Sequence, residues 1–541
     1  MSGLRRAFEG LTHGNPVYRW ALRQGSVPER FALTCPDPWP GDTEAGEALV
    51  RHEPTFPFEP GFCAPSSLSH AWLRDLRALG TPAARAAARG LLSVWMDANR
   101  DRWTPAVWSA PVLGERLAQW VGFYDFYAPG SDAAFRESLV RSFAEQFHHL
   151  RRTASARLVG AEAFAVLKGL VAGALAMGEG AADLARVSAL LTERLEAEIL
   201  PDGGHISRSP SEHLDVLGHL LDLRAVLKAA RLMPPHALAT AIERMGPALK
   251  LYRHGDGRLA LFHGGHAGDA RRIETALGLV GTRGRVLRRL PATGYERLAL
   301  GRGLVLVDVG PPPPPPFDAR AHAGLLAFEF SVGKERLLVN CGAPFPVRAD
   351  ETDGEDLSTA TDRAWRQASA ATAAHTTLVV EDTNACRVKA DGGLARRPTH
   401  VTAQRHEQAG IPTVEVEHDG YQRAYRLIHH RVLRLRAEGE ELAGQDNLRG
   451  PAGRSFALRW HLPPGAQAAL VSDGQAALIR AASGAGWRLE VSTESPVRLA
   501  LEPSVGCGTG SPRHALQIKA IGVTRPLVTD VTWRLTRVRG R

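Results

Sequence analysis

Cysteine is scarce in this chain. Five residues in 541 (Cys35, Cys63, Cys341, Cys386 and Cys507) lie far apart, odd in number and never in a CxxC spacing. This argues against a disulfide framework and fits a reducing compartment. No run of about 18 apolar residues occurs, so no transmembrane helix is expected. The first residues, MSGLRRAFEGLTHGNPVYRWALRQ, carry basic groups with no apolar stretch behind them. That pattern does not read as a signal peptide. The expected location is therefore the cytoplasm, or the periplasm if the true start lies upstream. A Walker A loop, GxSxG, HExxH and a dinucleotide-binding fingerprint are all missing. So are RNP-like, zinc-finger and basic-zipper patterns, which ranks nucleic acid low as a partner.

What is present is globular: 44% hydrophobic and 23% charged residues, with a net charge of +9 carried mostly by arginine. Such a balance suits a polyanionic partner. Texture divides the chain in three. Residues 1–65, rich in Pro, Trp and Gly, read as an irregular arm. Residues 66–290 read mainly as helices with apolar positions at i, i+3, i+4 and i+7, over 81–99, 113–128, 132–153, 161–178, 182–200, 211–231 and 235–252. Short connections make successive helices antiparallel, as in a bundle or a ring of hairpins. Residues 291–541 alternate short β-type runs with Gly and Pro turns, which indicates an antiparallel β-sandwich. GPPPPPP at 310–316 reads as a stiff surface loop.

Two stretches carry candidate chemistry. In ILPDGGHISRSPSEHLDVLGHL (199–220), two glycines make a tight turn before His205 and Arg208. His205 is a candidate acid or base, and Arg208 a candidate clamp for a carboxylate or sulfate. The same residues also read as a helix start, with Ser209 capping, Pro210 at the first position and Glu212 closing a capping box. Asp202, Glu212 and His213 are candidate substrate contacts beside them. The second stretch, AHAGLLAFEFSVGKERLLVNCG (321–342), reads as a hairpin with His322 before its first strand and Asn340 at the end of its second. TAAHTTLVVED follows at 372–382. Elsewhere, His254, His263 and His266 recur in a turn-rich segment, and His429 and His430, adjacent in a strand, must point to opposite faces.

In order and layout, the helical half with its DGGH segment, the hairpin and the AHTTL segment resemble the heparinase II/III family. The resemblance implies an (α/α) toroid followed by an antiparallel β-sandwich. It also implies β-elimination on an acidic, uronic-acid-containing glycan, such as a glycosaminoglycan or alginate, in bacteria. That chemistry needs a carboxylate neutraliser, a base and an acid, but no metal. By correspondence, Arg320 stands where relatives place a catalytic His. His322, Asn340 and His375 stand where some relatives hold a structural zinc, with an amide replacing the carboxylate. The Asn-His pair and the Tyr that relatives carry in the helical half have no counterpart. Two expectations follow. The first is a polysaccharide lyase using His205, Arg208 and Arg320 on an acidic polysaccharide or oligosaccharide. The second is a non-catalytic glycan-binding or envelope-associated protein that keeps the fold. The oligomeric state is not readable.

Overall fold

The structure is a computed structural model describing residues 12–13, 15–24, 27–35, 37–51, 68–178, 181–281, 283–343, 357–494, 496–508 and 512–538. By contact, the chain forms two units. The first takes its residues mainly from 1–197 and 215–242. The second takes 198–214, 243–347 and 356–541.

The first unit is helical, and its helices start where the sequence gives them starts. Thr81 accepts the Ala84 amide and Pro82 opens the helix Pro82–Asn99. Asp132 accepts the Phe135 amide ahead of Ala133–Thr153. Each cap satisfies an amide that the first turn leaves unbonded. Two helices, Pro16–Arg23 and Thr43–Arg51, correct the expectation of a wholly irregular arm. The expected helix 113–128 is two, Ala110–Gly122 and Tyr124–Tyr127.

The central helix Gly160–Met177 is apolar on nearly every side. It is long and apolar enough to cross a membrane, yet most of it is buried within the protein. Lys168 sits buried on it, its ammonium 2.8 Å from Glu115 and 3.0 Å from Asp222. Two carboxylates are what make so deep a cation tolerable.

The second unit is built of antiparallel sheets. One sheet runs in sequence order: β1 (Arg289–Leu290), β2 (Tyr295–Leu300), β3 (Gly303–Asp308), β4 (Phe328–Val332) and β5 (Glu335–Leu338). Its register pairs Tyr295 with Asp308 and Leu300 with Gly303, then Gly303 with Val332 and Val307 with Phe328. Strands β3 and β4 are buried at every position; the apolar run of β3 fits this, whereas β4 buries Glu329 and Ser331 between its apolar residues. An eight-stranded sheet has at its centre the strands Leu527–Val538, Glu441–Gly450 and Ile428–Arg436. Ile411–His418 and Glu441–Gly450 bury alternate residues, the period of a sheet with one face on the core. A four-stranded sheet joins Arg498–Gly506, Arg513–Val523, Ser455–His461 and β6 (Leu378–Val380). Trp460, Trp487, Trp533, Phe328 and Phe330 lie in the apolar core.

The helix Leu357–Ala370 in the strand-rich half was not expected from the sequence, and Ala270–Val280 adds a helix to the region 66–290 beyond those read there. The proline run is only partly at the surface, since Pro312 and Pro313 are buried. Prolines have no N–H to donate, so their carbonyls are left to accept from side chains.

Candidate functional site

All nine candidate residues belong to the second unit. The segment 199–209 joins the helices Ala181–Glu198 and Pro210–Ala229 and folds back through an antiparallel bridge between Ile199 and His205. Asp202 anchors the turn. Its carboxylate accepts the Gly204 amide at 3.1 Å, the Thr293 amide at 2.8 Å and the Thr293 hydroxyl at 2.6 Å. A side chain at position 204 would meet Thr293 Oγ1 at 1.9 Å, so the second glycine lets the two segments touch. This engagement explains Asp202 as a loop anchor.

His205 is 1% exposed. Its Nδ1 lies 3.2 Å from the Ser207 amide and 2.7 Å from the Ser207 hydroxyl. Because the amide can only donate, Nδ1 is the acceptor and Nε2–H donates to Glu198, 3.2 Å away. The ring is held between a buried carboxylate and its own loop, which corrects the expectation of an accessible acid or base.

Arg208 departs furthest from its expected role. Its guanidinium is buried and donates to five backbone or carboxylate acceptors. Nε reaches Thr293 O at 2.5 Å, Nη1 reaches Pro311 O at 2.6 Å and Gly310 O at 3.2 Å, and Nη2 reaches Gly294 O at 2.9 Å and the carboxylate of Asp308. The Tyr295 hydroxyl donates to the Arg208 carbonyl at 2.5 Å. The other oxygen of Asp308 lies 2.9 Å from His263 Nε2. Burial alone would raise the Asp308 carboxyl. The charges of Arg208 and His263, with their hydrogen bonds, outweigh it and hold the group below the usual carboxylate range. A guanidinium so engaged has nothing left for a substrate.

His213 is fully buried, donates from Nε2 to Met245 O at 2.9 Å, and is pushed down to about 3 by burial. It is a core histidine and not a substrate contact. The remaining pair is different. Arg320 is 68% exposed, with Nη1 3.5 Å from Glu212, whose side chain is 15% exposed. It is the one accessible cation among the nine candidates.

The hairpin residues converge on one short segment. His322 Nδ1 and His375 Nε2 are 3.1 Å apart, and His375 Nδ1 donates to Ala371 O at 2.8 Å. His375 Nε2 is therefore the acceptor and His322 Nδ1–H the donor. Burial holds both rings neutral, His322 well below its ordinary range and His375 at about 4. Asn340 meets the next residue, its Oδ1 accepting the Thr376 amide at 3.0 Å and its Nδ2 donating to Glu329 at 3.4 Å. A structural zinc needs lone pairs pointed at a common centre. Here one imidazole lone pair faces the other ring, the amide oxygen is taken, and no cluster of three His, Cys, Asp or Glu suited to a metal occurs among the described residues. These residues do not fit the metal.

Glu329 was not among the candidates read from the sequence. It is fully buried on β4 and accepts the Leu261 amide at 3.0 Å and the Asn340 amide at 3.1 Å, with His254 Nε2 3.0 Å away. Asp308, at the end of β3, was missed in the same way. The available signal was a lone acid inside an apolar strand, LLAFEF and LVLVDV, because a buried carboxylate is rare without dedicated partners.

Comparison with known proteins decides the lineage. The family model described as Heparinase II/III-like, C-terminal, matches residues 282–533. FtsZ-localized protein C of Caulobacter vibrioides is 33% identical over 488 residues, 87% of this chain and 81% of that protein. The chain belongs to the heparinase II/III-like family. Among solved structures, heparinase III superposes with a TM-score of 0.72 at 13% identity, covering 100% of this chain and 92% of that one. The heparan sulfate lyase HepC of Pedobacter heparinus gives 0.62 at 14% identity, covering 100% and 91%. The family fold of helical toroid followed by antiparallel β-sandwich is thus the fold of this chain.

Proposed function

We propose that this heparinase II/III-like protein keeps the polysaccharide-lyase fold as a binding scaffold and acts in cell division, in association with FtsZ filaments, rather than as a uronate lyase. One observation carries the first half: the guanidinium of Arg208 is consumed by Asp308 and backbone carbonyls, away from any substrate. β-Elimination requires the uronate carboxylate to be neutralised and a base to reach the C5 proton. His205, His322 and His375 are each 5% exposed or less, and burial keeps the last two neutral. The second half rests on the likeness to FtsZ-localized protein C across most of both chains. On this reading the protein acts in the cytoplasm. It needs no metal. An acidic glycan is the ligand class of the lyases that share the fold, and is retained here as a ligand to be bound, not cleaved.

The lyase reading survives in one form, through exposed Arg320 beside Glu212. The test of the proposal is co-sedimentation of the full chain with FtsZ polymerised by GTP. The protein is expected in the pellet with polymer and in the supernatant with GDP-held FtsZ. Equal partition in both would contradict it.

A further inference from the structure

The other end of the five-stranded sheet holds a cavity of about 470 Å³. Its walls carry five cationic side chains, Lys250, Arg253, Arg297, Arg302 and Lys334, and no carboxylate. A cavity of this size is in the range of small-molecule sites. Arg302 and Lys334 sit on the tips of two hairpins, β2–β3 and β4–β5, and both are exposed. Neither makes an ion pair or a side-chain hydrogen bond among the described residues. Arg297 projects from β2 and donates to the carbonyls of Leu251 and Arg253, at 2.9 and 2.8 Å. Burial and the neighbouring Arg253 charge bring its guanidinium down to about 10.

The nearby acids are already engaged. Glu274 meets Arg253 at 2.9 Å, Asp256 meets Arg336 at 2.8 Å, and Glu335 accepts the Ser483 amide at 2.9 Å. The floor is backbone: Gly333, at φ +59°, brings its carbonyl to where a side chain on Gly255 would stand, 1.9 Å away. Only glycine at 255 leaves that approach open.

We propose that this cavity binds a small ligand bearing two or more anionic oxyacid groups, of the phosphate-ester or sulfate-ester kind. Like charges gathered around a concavity, with Arg302 and Lys334 unpaired among the described residues, repel one another until an anion enters. Guanidinium forks match the paired oxygens of a tetrahedral oxyanion. The cavity lies at the Gly303 end of β3, about 16 Å along the strand from Asp308. It therefore stands or falls independently of the reading given for Arg208.

Isothermal titration calorimetry of the full chain, with inorganic pyrophosphate in one arm and a disulfated disaccharide in the other, tests this against chloride at matched ionic strength. Saturable one-to-one binding is expected in one arm, and that arm identifies the source of the oxyanion. The Arg302→Gln, Lys334→Gln double variant should bind about tenfold more weakly with an unchanged ligand-free melting midpoint. Arg423→Gln, which removes an exposed charge elsewhere, should bind as the parent does. Binding in neither arm, equal binding by the double variant, or equal weakening by Arg423→Gln would each overturn the proposal.

Discussion

The two ends of one small sheet treat arginine in opposite ways. At the Asp308 end, Arg208 is buried under five acceptors, with Tyr295, His263 and a carboxylate packed around it. At the Gly303 end, Arg302 and Lys334 stand on hairpin tips in solvent. The strands between them, β2, β3 and β4, are the same. What differs is the supply of partners. The turn at Thr293–Gly294 and the start of the proline run, Gly310 and Pro311, bring four carbonyls to the first end, whereas the hairpin tips at the second bring none to Arg302 or Lys334 among the described residues. A cation with every donor satisfied holds a fold together, and one left in a concavity is available to a ligand.

The largest effect should come from breaking the buried end. Arg208→Met strands the Asp308 carboxylate without its main counter-charge. We expect a loss of about 3–5 kcal/mol in unfolding free energy by denaturant titration. Asp308→Asn should cost a comparable amount, and the double variant less than the sum of the two. A smaller effect sharpens the same point by pH. His375 is held at about 4 against an ordinary 6.5, so its neutral ring contributes stability that is complete above pH 6.5 and is lost as the pH falls toward 4. By pH 5 this one group should cost about 2 kcal/mol, and His375→Gln should flatten that slope. The smallest effect belongs to the exposed pair. Arg320→Ala should change stability by no more than about 0.5 kcal/mol, because a solvent-exposed ion pair contributes little.

Much of the fold was legible because it rests on local rules. Thr81 and Asp132 cap the helices that their positions announce, and His429 and His430 lie in a strand, Ile428–Arg436, as their surroundings indicate. The hairpin around Gly333 was read correctly. The roles of the candidate residues were not legible, because each depends on partners far away in sequence. Arg208 is silenced by residues 293–294 and 308–311, and Asn340 is fixed by Glu329 and Thr376. A sequence shows which residues could act, but burial decides which are still able to.

The most direct test of the central claim is the absorbance of unsaturated uronate when the purified protein is incubated with heparan sulfate, alginate and chondroitin sulfate. The account predicts no increase over buffer on any polymer, with Arg320→Ala indistinguishable from the parent. A steady increase that Arg320→Ala abolishes would show a working lyase and contradict it.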